Sequence, residues 1–141
     1  MSYSSIHWIG VLLCIVASFV SGFAWFGPKT FYPVWKRAMG QSPTDDPGES
    51  QNMAVTFGLT LIGIIVQAIV LALILDLLDR ATGRVTLVTG LGTGLVVGIG
   101  AAAMSLGHRL FAGHGVKVWL IEVGNDILNF AIMGLILSFF Y

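Results

Sequence analysis

Charge is scarce in this sequence. Only 10% of its 141 residues are charged, whereas an ordinary soluble domain carries about 25%. Seven acidic and seven basic side chains cannot cover a chain in which 56% of the residues are hydrophobic. The formal net charge is zero, so no positive field is present to attract nucleic acid, and no nucleic-acid partner is expected. The remaining apolar surface is therefore expected to meet a lipid bilayer.

Several other features are missing. The single cysteine, Cys14, excludes an intrachain disulfide. No basic stretch precedes the first apolar run, which is also longer than the core of a signal peptide, so we expect it to stay in the mature protein. His108 and His114 lack a helical metal-ligand spacing, and His7 is expected on the opposite side of the membrane. The sequence also has no nucleophile elbow or phosphate loop, so we predict no catalytic residue, cofactor or metal.

What the sequence does contain is four apolar runs, each long enough to cross about 30 Å of hydrocarbon at about 1.5 Å per residue. The runs are residues 6–26, 53–75, 85–106 and 118–140. A membrane barrel would need alternating segments of about ten residues, whereas helices satisfy every backbone group locally. The sequence therefore predicts an all-α integral membrane protein, a four-helix transmembrane bundle forming a single domain over residues 1–141.

The connections between the runs differ. Residues 28–39 place apolar side chains on one helical face and basic ones on another, which predicts a short helix lying in the membrane interface. A turn signal follows at residues 45–48. The link over residues 76–84 is short, so spans two and three are predicted to be antiparallel neighbours, with Gly83 ending or turning a helix. Asp76 and Arg80 lie four residues apart and are expected to form an ion pair.

Basic residues are distributed unequally between the two sides. Both termini and the second connection carry Arg80 and Arg84 only. The first and third connections carry Lys29, Lys36, Arg37, Arg109 and Lys117. The positive-inside rule then predicts cytoplasmic first and third connections and external termini, in a bacterial inner membrane.

Small residues recur at every fourth position in two spans. The third span has Gly90, Gly94, Gly98 and Ala102, and the first has Gly10, Cys14, Ser18 and Gly22. Such rows form grooves in which another helix backbone can approach closely. The row predicts a helix contact, and its partner is either a helix of the same chain or one of a second copy.

The fourth span contains a polar stripe. Glu122, Asn125, Asp126 and Asn129 fall within about 100° of arc on a helix. Asp126 lies about 13 Å along the helix from Lys117, near the middle of the membrane. An ionisable group at that depth is expensive, so Asp126 is expected to face the bundle interior or a water-filled cavity. Burial favours the neutral form of a carboxyl, and we expect Asp126 to be protonated.

Other polar residues share the depth of this stripe. They are Ser18 and Ser21 on the first span and Thr56 and Thr60 on the second, with Trp25 near the expected entrance. One interpretation is a pocket for an ion, a proton or a small solute, open toward the first and third connections. The other is a hydrogen-bonded seam that holds the helices in register, since interhelical polar contacts contribute about 0.6–2 kcal/mol each.

Residues 21–28, with the sequence Ser-Gly-Phe-Ala-Trp-Phe-Gly-Pro, and the following Phe31, Trp35 and Lys36 carry a family resemblance. Together with Gln67-Ala68 and the closing residues 133–137, they resemble the bacterial four-span family catalogued as domain of unknown function 1761. The chain departs from that pattern at Phe26, where tyrosine is usual, and at Arg37, where methionine is typical. The resemblance implies four spans and no known activity.

Three function classes follow from these patterns. The first is a non-catalytic accessory or assembly module, as a homo-oligomer (a dimer being favoured) or as a subunit of a membrane complex. The second is a small transporter or channel for a proton, an ion or a small solute, with its pocket on span four. The third and least expected is an intramembrane enzyme, because two carboxylates without a recognised partner give it little support.

Overall fold

The computed structural model describes residues 6–42 and 52–141. Within these ranges the protein is helical and has no strand. The helices are α1 (Trp8–Trp25), α2 (Tyr32–Ala38), α3 (Met53–Thr82), α4 (Leu87–Phe111) and α5 (Gly115–Leu137). All but α2 are long and apolar enough to cross a membrane, which confirms the predicted fold class. The turn predicted at residues 45–48 lies outside the described residues.

The chain turns sharply between α1 and α2. Proline at position 28 cannot continue a helix, and the backbone N–H of Phe31 instead donates to the carbonyl of Trp25 at 3.0 Å. The hydroxyl of Thr30 lies 2.7 Å from the carbonyl oxygens of both Ala24 and Trp25. It donates to carbonyl groups that have no partner within α1 because the helix ends there. This compact turn brings α2 back over the end of the bundle.

Helix α3 is longer than the apolar run that encodes it. The side chain of Asn52 accepts from the backbone N–H groups of residues 54 and 55 and so caps its start. The helix ends at Gly83, which adopts a left-handed conformation with φ 74°. The 30 residues between these caps span about 45 Å. The predicted ion pair of Asp76 and Arg80 is present at 3.0 Å, near the end of the helix.

Helix α4 also runs past the predicted end of its span. It continues to Phe111, so only residues 112–114 separate it from α5. Gly113 and Gly115 both have positive φ, near 77°, and permit this tight reversal. Most of the predicted third connection is therefore helical, and Arg109 lies in the last turn of α4.

The closest helix contact joins α4 to α5. Gly90, Gly94, Gly98 and Ala102 are the buried residues of α4. A methyl group added at Gly94 would collide with the carbonyl of Phe130, and one at Gly90 with the carbonyl of Gly134. The two backbones are thus in direct contact, as small residues allow. By comparison, α3 and α4 contact each other sparsely despite their short link, and each packs mainly elsewhere.

Helix α5 is the centre of the bundle. It contacts all four other helices and is the most deeply buried of the long ones. Gly10, Cys14 and Ser18 of α1 are buried, and the thiol of Cys14 donates to the carbonyl of Met133 at 3.7 Å. The buried residues of α3 all lie from Ala68 onward, whereas residues 53–62 are exposed. Ile64 is partly buried and also packs against the core, so α3 joins the bundle from about its middle onward, and its exposed first turns leave space beside α1 and α5.

Candidate functional site

The gap left by α3 is a cavity of about 490 Å³ bounded by α1, α3 and α5, with Tyr32 of α2 also on its lining. A volume of this size is typical of small-molecule sites. Its polar lining comes from all three helices and comprises Ser18, Thr60, Gln67, Asn125, Asp126 and Asn129. Three of the four residues of the predicted stripe therefore meet here, and Ser18 and Thr60 join them.

Three of these polar side chains are at least nine-tenths buried. Ser18 is 2% exposed, and Asn125 and Asn129 are each 8% exposed. Each has a side-chain oxygen, Oγ or Oδ1, with no hydrogen-bond partner among the described residues. An unpartnered buried polar group costs about 1–3 kcal/mol. Three buried oxygens at the cavity therefore lack hydrogen-bond partners.

Asp126 has a different environment from its neighbours. It lines the cavity yet counts among the exposed residues of α5, because its side chain reaches the open volume. The carboxyl accepts no hydrogen bond from the part of the chain that the structure describes. No lysine, arginine or histidine of the described residues lines the cavity with it. The carboxyl of Asp126 therefore faces the cavity, which is one of the two environments that the sequence predicts for it.

Glu122, one turn away, lies outside the cavity. Its Oε2 forms an ion pair with Nε of Arg109 at 2.8 Å, and its Oε1 accepts from the indole Nε1 of Trp35 at 3.1 Å. The pair arises because the turn after α4 is short, so the end of α4 lies beside the start of α5. Glu122 therefore connects α2, α4 and α5 and is not available to a ligand of the cavity.

Three further residues of the predicted pocket lie elsewhere. Ser21 and Trp25 line a second, mostly apolar cavity of about 330 Å³. The indole Nε1 of Trp25 donates to the carbonyl of Ile121 at 2.9 Å, and its ring occupies the space beside Gly124. Thr56 is exposed in the first turn of α3. Trp25 thus joins α1 to α5 and does not form the entrance that we predicted.

A model of the family described as "Protein of unknown function (DUF1761)" matches residues 9–138. The chain belongs to this family. The match confirms the resemblance inferred from the sequence, and every residue that lines the polar cavity falls within it. No curated protein and no solved structure matches the chain.

Aromatic side chains form much of the wall of the cavity in this DUF1761 protein. They are Phe19, Phe23, Phe26, Tyr32 and Phe57. Phe26, which stands where the family pattern tends to have tyrosine, brings a ring to the cavity and no hydroxyl. These residues could not be assigned to the site from the sequence, because apolar rings in a membrane span give no signal that separates a cavity wall from a lipid face.

Two further residues of the cavity, Gln67 and Gly22, were not predicted to line it. Gln67 was not assigned to the site, although an amide in the middle of an apolar span is itself a signal. Gly22 was predicted to be a packing residue, but it lines the cavity, and a Cβ at this position would meet nothing within 4 Å. Gly10 does pack, 3.0 Å from the ring of Phe140 by the same measure. Among the described residues, no cluster of three or more histidine, cysteine or acidic residues is placed to hold a metal ion.

Proposed function

We propose that this protein binds a small solute in the polar cavity and carries it through the membrane. The observation that supports this most directly is the set of unpartnered oxygens on Ser18, Asn125 and Asn129. A structural seam would pair such groups with one another, because buried polar groups in native structures are nearly always hydrogen-bonded. These oxygens instead lack partners beside an open cavity that also contains a carboxyl.

The proposal includes a direction of access. We infer that the cavity opens toward the first and third connections, because the exposed residues 53–62 of α3 follow directly on the first connection. These connections have the larger number of basic residues, so the positive-inside rule favours a cytoplasmic opening, external termini and a bacterial inner membrane. The solute would then enter or leave on the cytoplasmic side.

The other function classes have less support from the geometry. An accessory or assembly module was favoured partly by the glycine row of α4, but Gly90, Gly94 and Gly98 pack against α5 of the same chain. A homodimer remains part of the proposal, since four helices enclose little volume, although one copy alone surrounds the cavity. For an enzyme, the cavity offers one acid, Asp126, without a second titratable catalytic group beyond Tyr32.

The proposal is tested by the reactivity of a cysteine at Thr60, which lines the cavity, in a Cys14→Ser background. The reagent is a trimethylammonium-ethyl methanethiosulfonate, which is charged and does not cross membranes. We expect Thr60→Cys to react in inside-out vesicles and to be protected in right-side-out ones. The control is Val96→Cys on the outer face of α4, where Val96 is 72% exposed and is expected to face lipid and stay unreactive in both.

Each outcome of this labelling has a separate meaning. Reaction from the external side alone would overturn the orientation and leave the solute site intact. Protection of Thr60→Cys in both vesicle types would contradict the proposed function, because it would mean that lipid or protein fills the cavity.

A further inference from the structure

We infer that the solute is a small primary ammonium compound with an aromatic or apolar body, bound at Asp126. This inference rests on the proposed function and adds the chemical class of the solute. It depends on three properties of the cavity: the sign of its charge, the kind of hydrogen bond it lacks, and the nature of its wall.

The charge of the cavity favours a cation. Asp126 is its acidic residue, and the described lining contains no basic side chain to neutralise it. Arg109, at the end of α4, does not line the cavity and is paired with Glu122 at 2.8 Å. The carboxyl of Asp126, which is expected to be protonated when the cavity is empty, would be stabilised in its ionised form by a bound cation. An anion would meet repulsion there and no positive partner.

The unpartnered groups favour a hydrogen-bond donor. Asn125, Asp126 and Asn129 lie within about 100° of arc and about 6 Å of rise on α5, and all three line the cavity. The unpartnered oxygens of the two amides are closed off from the cavity as placed, and rotation of each terminal amide exchanges its oxygen with its nitrogen. A primary ammonium has three N–H donors and no acceptor, as in the lysine side chain. Once the amides have rotated, the carboxylate and the two amide oxygens would offer it three acceptors from α5.

The wall of the cavity favours an aromatic or apolar body. Five aromatic side chains line the same cavity as the polar groups: Phe19, Phe23, Phe26, Tyr32 and Phe57. Aromatic faces attract cations and pack against apolar groups. A bare metal or alkali ion would leave most of this wall without contacts, whereas an arylalkyl ammonium would use both the rings and the carboxyl.

Four probes with one phenyl group test the inference on the full chain in lipid nanodiscs. They are 2-phenylethylammonium, its N,N,N-trimethyl derivative, 2-phenylethanol and 3-phenylpropanoate. Binding is measured by isothermal titration calorimetry, with the heat of empty nanodiscs subtracted. We expect the primary ammonium to bind at least about tenfold more tightly than the trimethyl derivative and the alcohol, because charge-assisted hydrogen bonds are the strong ones. We expect no binding of the propanoate.

A variant then assigns the charge to one residue. Asp126→Asn should weaken binding of 2-phenylethylammonium at least about tenfold, because the charge-assisted bond is lost. It should bind 2-phenylethanol as the wild type does, which also shows that it is folded. Asp126→Glu should retain the preference for the ammonium. The matched control is Asp79→Asn near the other end of α3, which removes one carboxylate outside the cavity and should leave all four affinities unchanged.

Several results would overturn the inference. Equal or tighter binding of the alcohol or the propanoate would show that the charge of Asp126 does not select the solute. Equal binding of the trimethyl derivative would remove the role of the N–H donors. If no probe binds while Thr60→Cys is reactive, the ammonium assignment fails and the solute site survives. If the cysteine is protected as well, both proposals fail.

Discussion

Asp126 and Glu122 are one helical turn apart on α5 and have unlike surroundings. Glu122 is held by Arg109 and by the indole of Trp35, whereas Asp126 faces the open cavity. Their different roles follow from helical geometry, because a step of four residues rotates the side chain by about 40° and advances it by about 6 Å. The first carboxyl stabilises the end of the bundle, and the second is free to meet a ligand.

Helical periodicity was enough to predict that Asn125, Asp126 and Asn129 share a face. It could not predict the fate of Glu122, because its partner depends on where α4 ends. The sequence placed Arg109 in a loop, and the structure has it in the last turn of α4. Gln67 was detectable as an amide in an apolar span. Whether it lines the cavity depends on the space between α1 and α3, which the sequence does not indicate.

The indole N–H of Trp25 provides a test at this scale. Trp25→Phe removes the donor to the carbonyl of Ile121 and leaves that carbonyl without this partner. We expect the free energy of unfolding to fall by about 0.5–1.5 kcal/mol, because the carbonyl of Ile121 keeps its partner within α5. Trp8→Phe is the matched control, since Trp8 is 56% exposed and should change stability little. The measurement is reversible unfolding in mixed detergent micelles, and equal losses in the two variants would show that the Trp25 hydrogen bond is unimportant.

At the scale of helices, the contact of α4 with α5 decides how the bundle is arranged. The regular row of small residues on α4 was visible in the sequence, but its partner was not. Gly134 of α5 completes the contact, and it lies within 4 Å of both Gly90 and Gly94 by its added Cβ. Backbone contact requires small residues on both helices, and α5 provides them where α4 has its glycines. Helix α4 therefore packs more closely on α5 than on α3, although α3 precedes it in the chain.

The ends of the helices were less predictable than their apolar centres. Both α3 and α4 continue for several residues beyond the apolar runs. Hydropathy reports where a chain leaves hydrocarbon, whereas a helix ends where a cap or a positive φ stops it. Gly83 was identified as such a stop, and the chain does turn there.

A single methyl group tests the helix contact. Gly94→Ala places a Cβ against the backbone of Phe130, and overpacking of this kind costs about 1–3 kcal/mol. Gly100→Ala makes the same change on the outer face of α4, where nothing lies within 4 Å, and should raise stability by up to about 1 kcal/mol through helix propensity. Unfolding of the two variants in detergent should therefore shift in opposite directions. Equal stability would show that the glycine row does not form a tight contact in the membrane.

Over the whole molecule, the cavity is a consequence of how α3 is attached. This helix packs against the core from Ile64 onward, whereas residues 53–62 are exposed. The four spans, their order and the polar level of α5 could be predicted from hydropathy and periodicity. The volume between α1 and α3 could not, since the few polar residues in the apolar part of α3, such as Thr60 and Gln67, do not indicate how closely the helix packs on α1.

The central claim is that this cavity holds water or a solute at the level of Asp126. An experimental structure in a lipid bilayer tests it most directly. We expect density that belongs neither to protein nor to acyl chain, within hydrogen-bonding distance of the side chains of Asn125, Asp126 and Asn129. An acyl chain filling the cavity, or α3 closed onto α1 so that Ser18 and the two asparagines bond to protein groups, would contradict the account.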